Sequence, residues 1–241
     1  MTPTVLFLHG FTHTGSSWEP VVAALGERYR AITPDLRGHG TASELEPVTL
    51  EAVLGDLDIL LGSDEITLVG YSMGGRIALH AALAWPDRVR RLILIGASPG
   101  LADPAEREQR RLDDERLADE IEAGSIEDFA RTWAESPVLA GLRPEAAQRA
   151  HADRLRNRPP GLARALRGLG TGALPSLWDR LGELRMPVVL VVGERDLKFR
   201  QIAQLMAHSL PDPGLSVVMG AGHAAHLEGP DVVAELVRSD V

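Results

Sequence analysis

The 241-residue chain contains no cysteine. A disulfide framework and a thiolate metal site are therefore both excluded. No apolar run approaches the length needed to span a membrane, and the first residues lead almost directly into a strand-like segment without a signal-peptide pattern. We therefore expect a cytoplasmic protein that does not insert into a membrane.

Lysine is also nearly absent, because 24 of the 25 basic residues are arginine and Lys198 is the only lysine. Acidic residues are in excess, and the formal net charge of −9 argues against nucleic acid as the main partner. A hydrophobic content of 44% over this length is enough for one domain with a large core and room for an insertion.

Short apolar runs with strand character recur along the chain, and helical patterns lie between them. The predicted strands cover residues 5–8, 29–33, 66–69, 89–96, 187–193 and 215–219. They are continuously apolar, as in a parallel sheet that helices cover on both faces. The sequence therefore predicts an α/β fold with a mostly parallel sheet.

Residues 99–175 have a different character, since strand signals vanish, helical patterns dominate and 12 of the arginines lie there. We predict that this segment is a helical cap inserted after the fourth strand, between core segments 1–98 and 176–241. Its predicted helices cover residues 105–122, 126–135, 144–155 and 161–169. Most of its charges are expected only to be solvated.

Residues 70–74 read G-Y-S-M-G, the G-x-S-x-G pattern of a nucleophile elbow, between a predicted strand and an apolar helix over 77–84. Such a sharp reversal imposes strained dihedral angles on the serine, and small neighbours let two backbone segments pass closely. The pattern therefore predicts that the Ser72 hydroxyl lies at the carboxyl end of the sheet, beside the positive end of the helix. An ordinary Gly/Ser turn is the alternative.

Ser72, Asp196 and His223 each follow a predicted strand, so their side chains should meet at one edge of the sheet. A serine hydroxyl becomes reactive at neutral pH when histidine accepts its proton, and aspartate orients and stabilises that histidine. Glu194 is an alternative acid, and His226 is a less favoured alternative to His223, which follows the glycine-rich turn.

His9-Gly10-Phe11 ends the first strand, next to the elbow. We predict that the backbone N–H groups of Phe11 and Met73 form an oxyanion hole, in which each donor is typically worth ~3 kcal/mol.

Asp35 also follows a strand, but its D-x-R-G-H-G sequence is more typical of a structural turn. No histidine or acid spacing indicates a metal site, and no cofactor is expected. Three further histidines look like ordinary helix residues: His80, His151 and His208.

Together these motifs resemble the α/β-hydrolase superfamily over nearly the whole chain. Finer features are similar to the 2-succinyl-6-hydroxy-2,4-cyclohexadiene-1-carboxylate synthases of menaquinone biosynthesis: S-P-G-L at 98–101 with an arginine cluster behind it, Arg76, and D-x-K-F at 196–199. The resemblance implies an α/β-hydrolase fold. Since the chain has no room for an opening hairpin, we expect six parallel strands.

That family eliminates pyruvate from 2-succinyl-5-enolpyruvyl-6-hydroxy-3-cyclohexene-1-carboxylate. The resemblance implies that Ser72, deprotonated by His223, removes the proton α to the succinyl ketone without an acyl-enzyme. Arginine forks suit the carboxylates of such a substrate. The implied substrate-binding residues are Arg76, Arg110, Arg154, Lys198, Tyr71 and Trp133. Arg156 is the alternative to Arg154, and surface solvation is the alternative for each cap arginine.

The expected partner is therefore a small polycarboxylate, bound by a monomer or a small homo-oligomer. A serine carboxylesterase or a C–C bond hydrolase would use the same elbow, with Ser72 as the nucleophile. Serine at this position excludes the dehalogenase and epoxide-hydrolase types, which have aspartate there. A ligand receptor that keeps the fold without catalysis is disfavoured by the intact set of Ser72, Asp196 and His223.

Overall fold

The computed structural model describes residues 2–239. Its strands form one six-stranded sheet in the order β2-β1-β3-β4-β5-β6, and every adjacent pair is parallel. The strands are β1 Thr4–Leu8, β2 Arg30–Ile32, β3 Ile66–Tyr71, β4 Val89–Ile95, β5 Val188–Gly193 and β6 Pro213–Val218. The predicted fold class, with six parallel strands, is confirmed.

The α-helices are α1 Glu19–Leu25, α2 Leu50–Leu61, α3 Met73–Ala84, α4 Pro104–Ala123, α5 Ile126–Ala134, α6 Pro144–Arg154, α7 Pro159–Leu169, α8 Leu197–Ser209, α9 Ala225–Glu228 and α10 Pro230–Arg238. Short 3-10 helices cover Gly15–Trp18, Gly40–Ala42 and Trp178–Glu183. In the part of the chain described, no helix combines the length and the apolar character needed to cross a membrane.

The strand β1, which has a neighbour on both sides, shows why these strands are apolar at every position. Leu6 and Leu8 belong to a hydrophobic cluster that includes side chains of α2, α3 and α8. Val5 and Phe7 belong to a second cluster on the other face, which includes side chains of α1 and α10. Successive side chains of a strand point to opposite faces, so a sheet covered on both sides needs apolar residues throughout.

Helices α4 to α7 all lie between β4 and β5 in the chain, where the cap was expected. Ala118 and Ile121 of α4 pack with Leu162 and Leu166 of α7 in a small separate cluster. Arg167 of α7 forms ion pairs with three acidic residues of α4: Glu115, Asp119 and Glu122. The assignment of residues 99–175 as a separate domain stays a prediction.

Two helices begin earlier than the sequence pattern indicates. α3 begins at Met73, directly after Ser72, and α8 begins at Leu197, directly after Asp196. The predicted starts at residues 77 and 201 were wrong because glycine or charged residues interrupt the apolar pattern in the first turn of each helix, which reads M-G-G-R in α3 and L-K-F-R in α8. The helix α9 was not predicted at all, since four residues are too few to show a helical period.

Candidate active site

The turn at Ser72 has the strained geometry that the elbow pattern predicts. Ser72 has φ 51° and ψ −110°, and among residues 2–239 only it and Thr12 have positive φ without being glycine. The end of β3 and the start of α3 pass so closely that a Cβ on Gly70 would lie 2.5 Å from the carbonyl oxygen of Gly74. The glycine at position 70 is therefore required by space, and it lets the serine stand at the end of β3.

The structure brings Ser72, Asp196 and His223 together from the ends of β3, β5 and β6. His223 Nδ1 lies 2.6 Å from Asp196 Oδ2, and His223 Nε2 lies 3.2 Å from Ser72 Oγ. Glu194 points elsewhere, because its Oε2 accepts a hydrogen bond of 2.8 Å from the Gly220 N–H. If His223 donates its Nδ1 proton to Asp196, the Nε2 atom is free to accept the serine proton.

Aromatic rings surround the imidazole of His223. The ring centroid of Phe199 lies 4.4 Å from that of His223, and the ring centroid of Tyr71 lies 5.3 Å from that of His223. Tyr71 is buried. Burial raises the pKa of the Tyr71 hydroxyl well above its usual value. Lys198 is exposed, with its Nζ 5.8 Å from the Phe199 ring, so it lies outside this layer of rings.

The two backbone donors predicted for the oxyanion hole follow adjacent strands, because Phe11 lies in the loop after β1 and Met73 begins α3 after β3. Leu8 at the end of β1 is in register with Gly70 of β3, which places the loop of Phe11 beside the elbow. Within residues 2–239 neither the Phe11 N–H nor the Met73 N–H has a hydrogen-bond acceptor. Met73 is the first residue of α3, where N–H groups are free of intrahelical bonds. Both donors are available to a bound oxygen, and their catalytic role stays a prediction.

Two of the predicted arginines are buried without an acidic partner. Arg76 is 7% exposed and Arg154 is 1% exposed, and neither forms an ion pair in the part of the chain described. Nε and Nη1 of Arg76 and Nε and Nη2 of Arg154 have no hydrogen-bond partner among these residues. Burial, with a contribution from the charge of Arg110, lowers the pKa of Arg76 to about 10, and burial also lowers the pKa of Arg154. Such uncompensated guanidinium groups favour an anion.

The remaining predicted arginines differ from these two. Arg110 is partly exposed, and its Nε lies 2.7 Å from the buried carboxylate of Asp114. Arg156 is 61% exposed in its side chain and lies 3.8 Å from Asp153, where it lines an outer cavity of about 130 Å³ that does not include Ser72. Arg154 is thus the buried one of the two and Arg156 the exposed one, and the assignment of Arg154 to the substrate pocket stays a prediction.

The predicted pocket residue Trp133 lies on α5, above the loop that follows β1. Its ring centroid is 5.5 Å from that of Phe11 and 5.5 Å from that of Phe129. Trp133 is half-buried, so part of the indole remains accessible. The aromatic side chains of α5 therefore lie close to Phe11, one of the two predicted oxyanion donors.

Asp35 is part of a structural turn, as its sequence pattern indicated. Its Oδ1 accepts a hydrogen bond of 2.7 Å from Gly15 N–H, and its Oδ2 accepts bonds from the N–H and the hydroxyl of Thr41. His226 is fully buried against Tyr71, at 4.2 Å between ring centroids, and does not contact Ser72. In residues 2–239 no group of three or more histidine and acidic side chains could hold a metal ion.

Sequence reasoning missed three buried polar residues that hold the loops of the site: Asp153, Asn157 and Glu228. Asn157 is the only asparagine in the chain, and Glu228 ends the G-A-G-H-A-A-H-L-E motif. The rarity of asparagine and the position of Glu228 in this motif are the only features that the sequence offers, and neither predicts which residues these side chains contact. The partners of all three lie far away in sequence or on the neighbouring turn.

Comparison with known proteins identifies the family of the chain. The profile of the α/β-hydrolase fold family matches residues 3–230. A relative from Salmonella newport, named 2-succinyl-6-hydroxy-2,4-cyclohexadiene-1-carboxylate synthase, is 34% identical over 98% of this chain and 94% of its own.

Two solved structures also superpose along the chain. MenH from S. aureus superposes with a TM-score of 0.92 at 34% identity and covers 98% of this chain and 92% of its own. A malate-bound esterase from Thermogutta terrifontis superposes with a TM-score of 0.84 at 28% identity over 98% of this chain and 88% of its own. The chain therefore belongs to the α/β-hydrolase family, and within it to the group of relatives named as 2-succinyl-6-hydroxy-2,4-cyclohexadiene-1-carboxylate synthases.

Proposed function

We propose that this protein is a lyase that eliminates pyruvate from 2-succinyl-5-enolpyruvyl-6-hydroxy-3-cyclohexene-1-carboxylate and yields 2-succinyl-6-hydroxy-2,4-cyclohexadiene-1-carboxylate. The proposal takes the activity in the name of the Salmonella relative, with which the chain shares nearly its whole length. The observation in the site that carries it is the pair of buried arginines, Arg76 and Arg154, whose donors have no protein acceptor among residues 2–239.

Proton abstraction is the step assigned to Ser72, His223 and Asp196. The distance of 3.2 Å between Ser72 Oγ and His223 Nε2 lets the imidazole take the hydroxyl proton as the serine oxygen removes the carbon-bound proton α to the succinyl ketone. Asp196, 2.6 Å from Nδ1, stabilises the imidazolium that forms. The electron pair of the broken C–H bond at ring carbon 2 forms a C2=C3 double bond, the ring C3=C4 double bond moves to C4=C5, and the C5–O bond to the enolpyruvyl group breaks. The departing enolate takes up the proton held by His223 and becomes pyruvate, so the step gains and loses no proton overall.

The negative charge that builds on the ketone oxygen requires donors that are already in place. The free N–H groups of Phe11 and Met73 supply two, and the positive end of α3 adds to them. Because these donors are backbone groups on a packed sheet edge, little reorganisation is needed as the charge forms.

The substrate carries succinyl, enolpyruvyl and ring carboxylates, and the protein has a net charge of −9. Binding therefore depends on local cations. The free nitrogen atoms of Arg76 and Arg154 can donate in the planar geometry that a carboxylate accepts. Arg110 and the exposed Lys198 are placed to attract the polyanion from solvent.

A serine carboxylesterase or C–C bond hydrolase is the second candidate function. The similarity to the Thermogutta terrifontis esterase favours it, since that protein is 28% identical to this chain. In that reaction Ser72 would attack a carbonyl carbon. The distances from Ser72 to His223 and from His223 to Asp196 would let His223 take the serine proton in the same way. An apolar acyl pocket would suit an ester, whereas the buried guanidinium groups of Arg76 and Arg154 suit an anion.

The decisive experiment supplies the enolpyruvyl substrate and follows pyruvate release, with hydrolysis of a p-nitrophenyl ester measured in parallel. We expect pyruvate release by the wild type and a loss of about 10³-fold or more in Ser72→Ala. Ser63→Ala is the matched control and should keep full activity, because Ser63 is exposed and precedes β3, at the opposite end of that strand from Ser72. Rapid ester hydrolysis without any pyruvate would reverse the ranking of the two functions.

A further inference from the structure

The segment that ends α6 binds the loop that follows β1. The Nδ2 group of Asn157 donates to the carbonyl oxygen of Thr12 at 2.8 Å and to that of Arg154 at 3.1 Å. Its Oδ1 accepts from the N–H of Gly40 at 3.0 Å. Asn157 is 3% exposed, so every polar atom of this amide is used inside the protein.

Asp153 binds the next residues of the same loop. Its carboxylate accepts hydrogen bonds from the Thr14 N–H at 2.8 Å, from the Thr14 hydroxyl, and from His13 Nδ1 at 3.2 Å. Burial alone would raise the pKa of Asp153, but the hydrogen bonds from His13 and Thr14 lower it to about 2. Residues 12, 13 and 14 are therefore all held by two side chains of one short segment.

The held loop is strained at Thr12, which directly follows Phe11. Thr12 has φ 70°, a left-handed conformation that a β-branched residue rarely adopts. Strain of this kind persists only where the surroundings fix the backbone, and it is concentrated at functional sites. The carbonyl oxygen of this strained residue is the acceptor of the hydrogen bond that Asn157 Nδ2 donates.

We propose that Asn157, with Asp153, is a positioning residue that keeps the Phe11 N–H aimed at the substrate oxygen. The inference rests on the oxyanion role given to Phe11 in the proposed function. Among the described residues neither side chain hydrogen-bonds to Ser72 or His223, so both act through residues 12–14. The same segment carries Arg154, so one anchor sets the position of a substrate cation and of an oxyanion donor.

The first test compares Asn157→Ala with the wild type in steady-state kinetics. Since misplacing one oxyanion donor weakens transition-state stabilisation, we expect kcat to fall about 10- to 100-fold while KM changes less than about threefold. Asn157→Asp keeps an acceptor for Gly40 and loses the donor to Thr12, so its kcat should fall to a similar extent. Arg158→Ala is the control, because the Arg158 side chain is 68% exposed and pairs only with Glu44 on the surface.

The second measurement reads the position of the donor directly. The ¹H–¹⁵N cross-peak of Phe11 should shift in Asn157→Ala and in Asn157→Asp and stay in place in Arg158→Ala. This signal also decides the matter if one variant is too unstable for kinetics or if the wild type turns over neither substrate.

Failure of the proposed function and failure of this inference give different results. A wild type that hydrolyses the ester and releases no pyruvate contradicts the lyase, and the loss of kcat in Asn157→Ala is then measured with the ester, whose oxyanion uses the same donor. A kcat within twofold of the wild type, or an unmoved Phe11 cross-peak, overturns the positioning role in either reaction.

Discussion

Several local features make Arg76 unfavourable to the fold, and the charge of Asp114 opposes them only in part. Arg76 is 7% exposed, it has no acidic partner within residues 2–239, and it lies in the first turn of α3, where the helix dipole is positive. The charge of Arg110 adds to the cost, although a pKa of about 10 leaves Arg76 protonated at neutral pH. A bound carboxylate would offset all of these terms, which is why a substrate role explains the residue better than a structural one.

Replacing Arg76 therefore separates binding from stability. In Arg76→Ala we expect a higher KM and a kcat/KM lower by about 10²-fold, as for the loss of one partner in a buried charge pair. The free energy of unfolding should stay level or rise, because an unpaired buried charge is removed. Steady-state kinetics and urea unfolding measure the two effects.

Arg90→Ala is the matched control for that experiment, since the Arg90 side chain is 73% exposed and makes only a long surface pair with Glu65. Arg90→Ala should leave both kcat/KM and the free energy of unfolding close to their wild-type values. Kinetics of Arg76→Ala that match those of Arg90→Ala would remove Arg76 from the site.

At the scale of elements, the carboxylate of Glu228 on α9 joins the two loops that carry Asp196 and His223. It accepts from the Gly222 N–H at 2.6 Å and from Arg195 Nη2 at 2.9 Å, and these donors directly precede His223 and Asp196. It also accepts from the N–H of Arg143, at the start of α6, at 3.1 Å. The side chain of Glu228 is 0% exposed, so these bonds replace water.

Glu228→Gln should destabilise the protein by about 1.5–3 kcal/mol, because charge-assisted bonds from buried donors are weakened and one amide group must find a new partner. The same change should lower kcat, since the loop of His223 loses its support. Urea unfolding checks the first expectation and the pyruvate assay the second. Glu183→Gln, at a surface pair with Arg180, should cost less than about 1 kcal/mol. Equal values for the two variants would show that Glu228 has no special role.

The meeting of Ser72, Asp196 and His223 could be predicted because it needs only chain order and a parallel sheet. Each residue follows a strand, and parallel strands end at the same edge. The choice between Arg154 and Arg156 could not be made in this way. It depends on where α6 ends, and helix ends are the least certain part of a sequence pattern.

The bonds of Asn157 and Asp153 were beyond prediction for a different reason. The bond between Asn157 and Thr12 spans 145 positions of sequence, and the bond between Asp153 and Thr14 spans 139. Both run from the end of α6 to the loop after β1. No period or motif records such a contact, because it is set by how the inserted helices settle on the sheet edge. The pattern near Thr12 showed only small polar residues, and its strain became visible in the backbone angles.

At the scale of the whole molecule, several of the eight histidines are buried and should be neutral. Burial lowers the pKa of His9 to about 4, of His39 to about 3 and of His80 to about 4, and it lowers the pKa of His226 well below its usual value. His9 shows the neutral form directly, because its Nε2 accepts a hydrogen bond of 2.9 Å from the Leu36 N–H. These residues couple the fold to pH.

The sign of this coupling follows from the direction of the shifts. Between pH 6.5 and about 4 the unfolded chain protonates these histidines while the folded protein does not, so the unfolded state binds more protons. The free energy of unfolding should therefore fall as the pH drops through this window, by up to about 1.4 kcal/mol per pH unit for each histidine. Urea unfolding at intervals from pH 7.5 to 4.5 measures the slope.

His80→Gln isolates one contribution to that slope. The Nε2 atom of His80 is buried without a partner among residues 2–239, and the charges of Arg76 and Arg180 add to the effect of burial, against a small opposing effect of Glu51. Glutamine suits the helix and does not titrate. Near pH 5, the difference in bound protons between the unfolded and folded states should therefore decrease by nearly one, and the slope of the free energy of unfolding with pH should decrease with it. His208→Gln, at an exposed position of α8, is the control. A slope that stays unchanged in His80→Gln would mean that the folded protein protonates His80 as readily as the unfolded chain does.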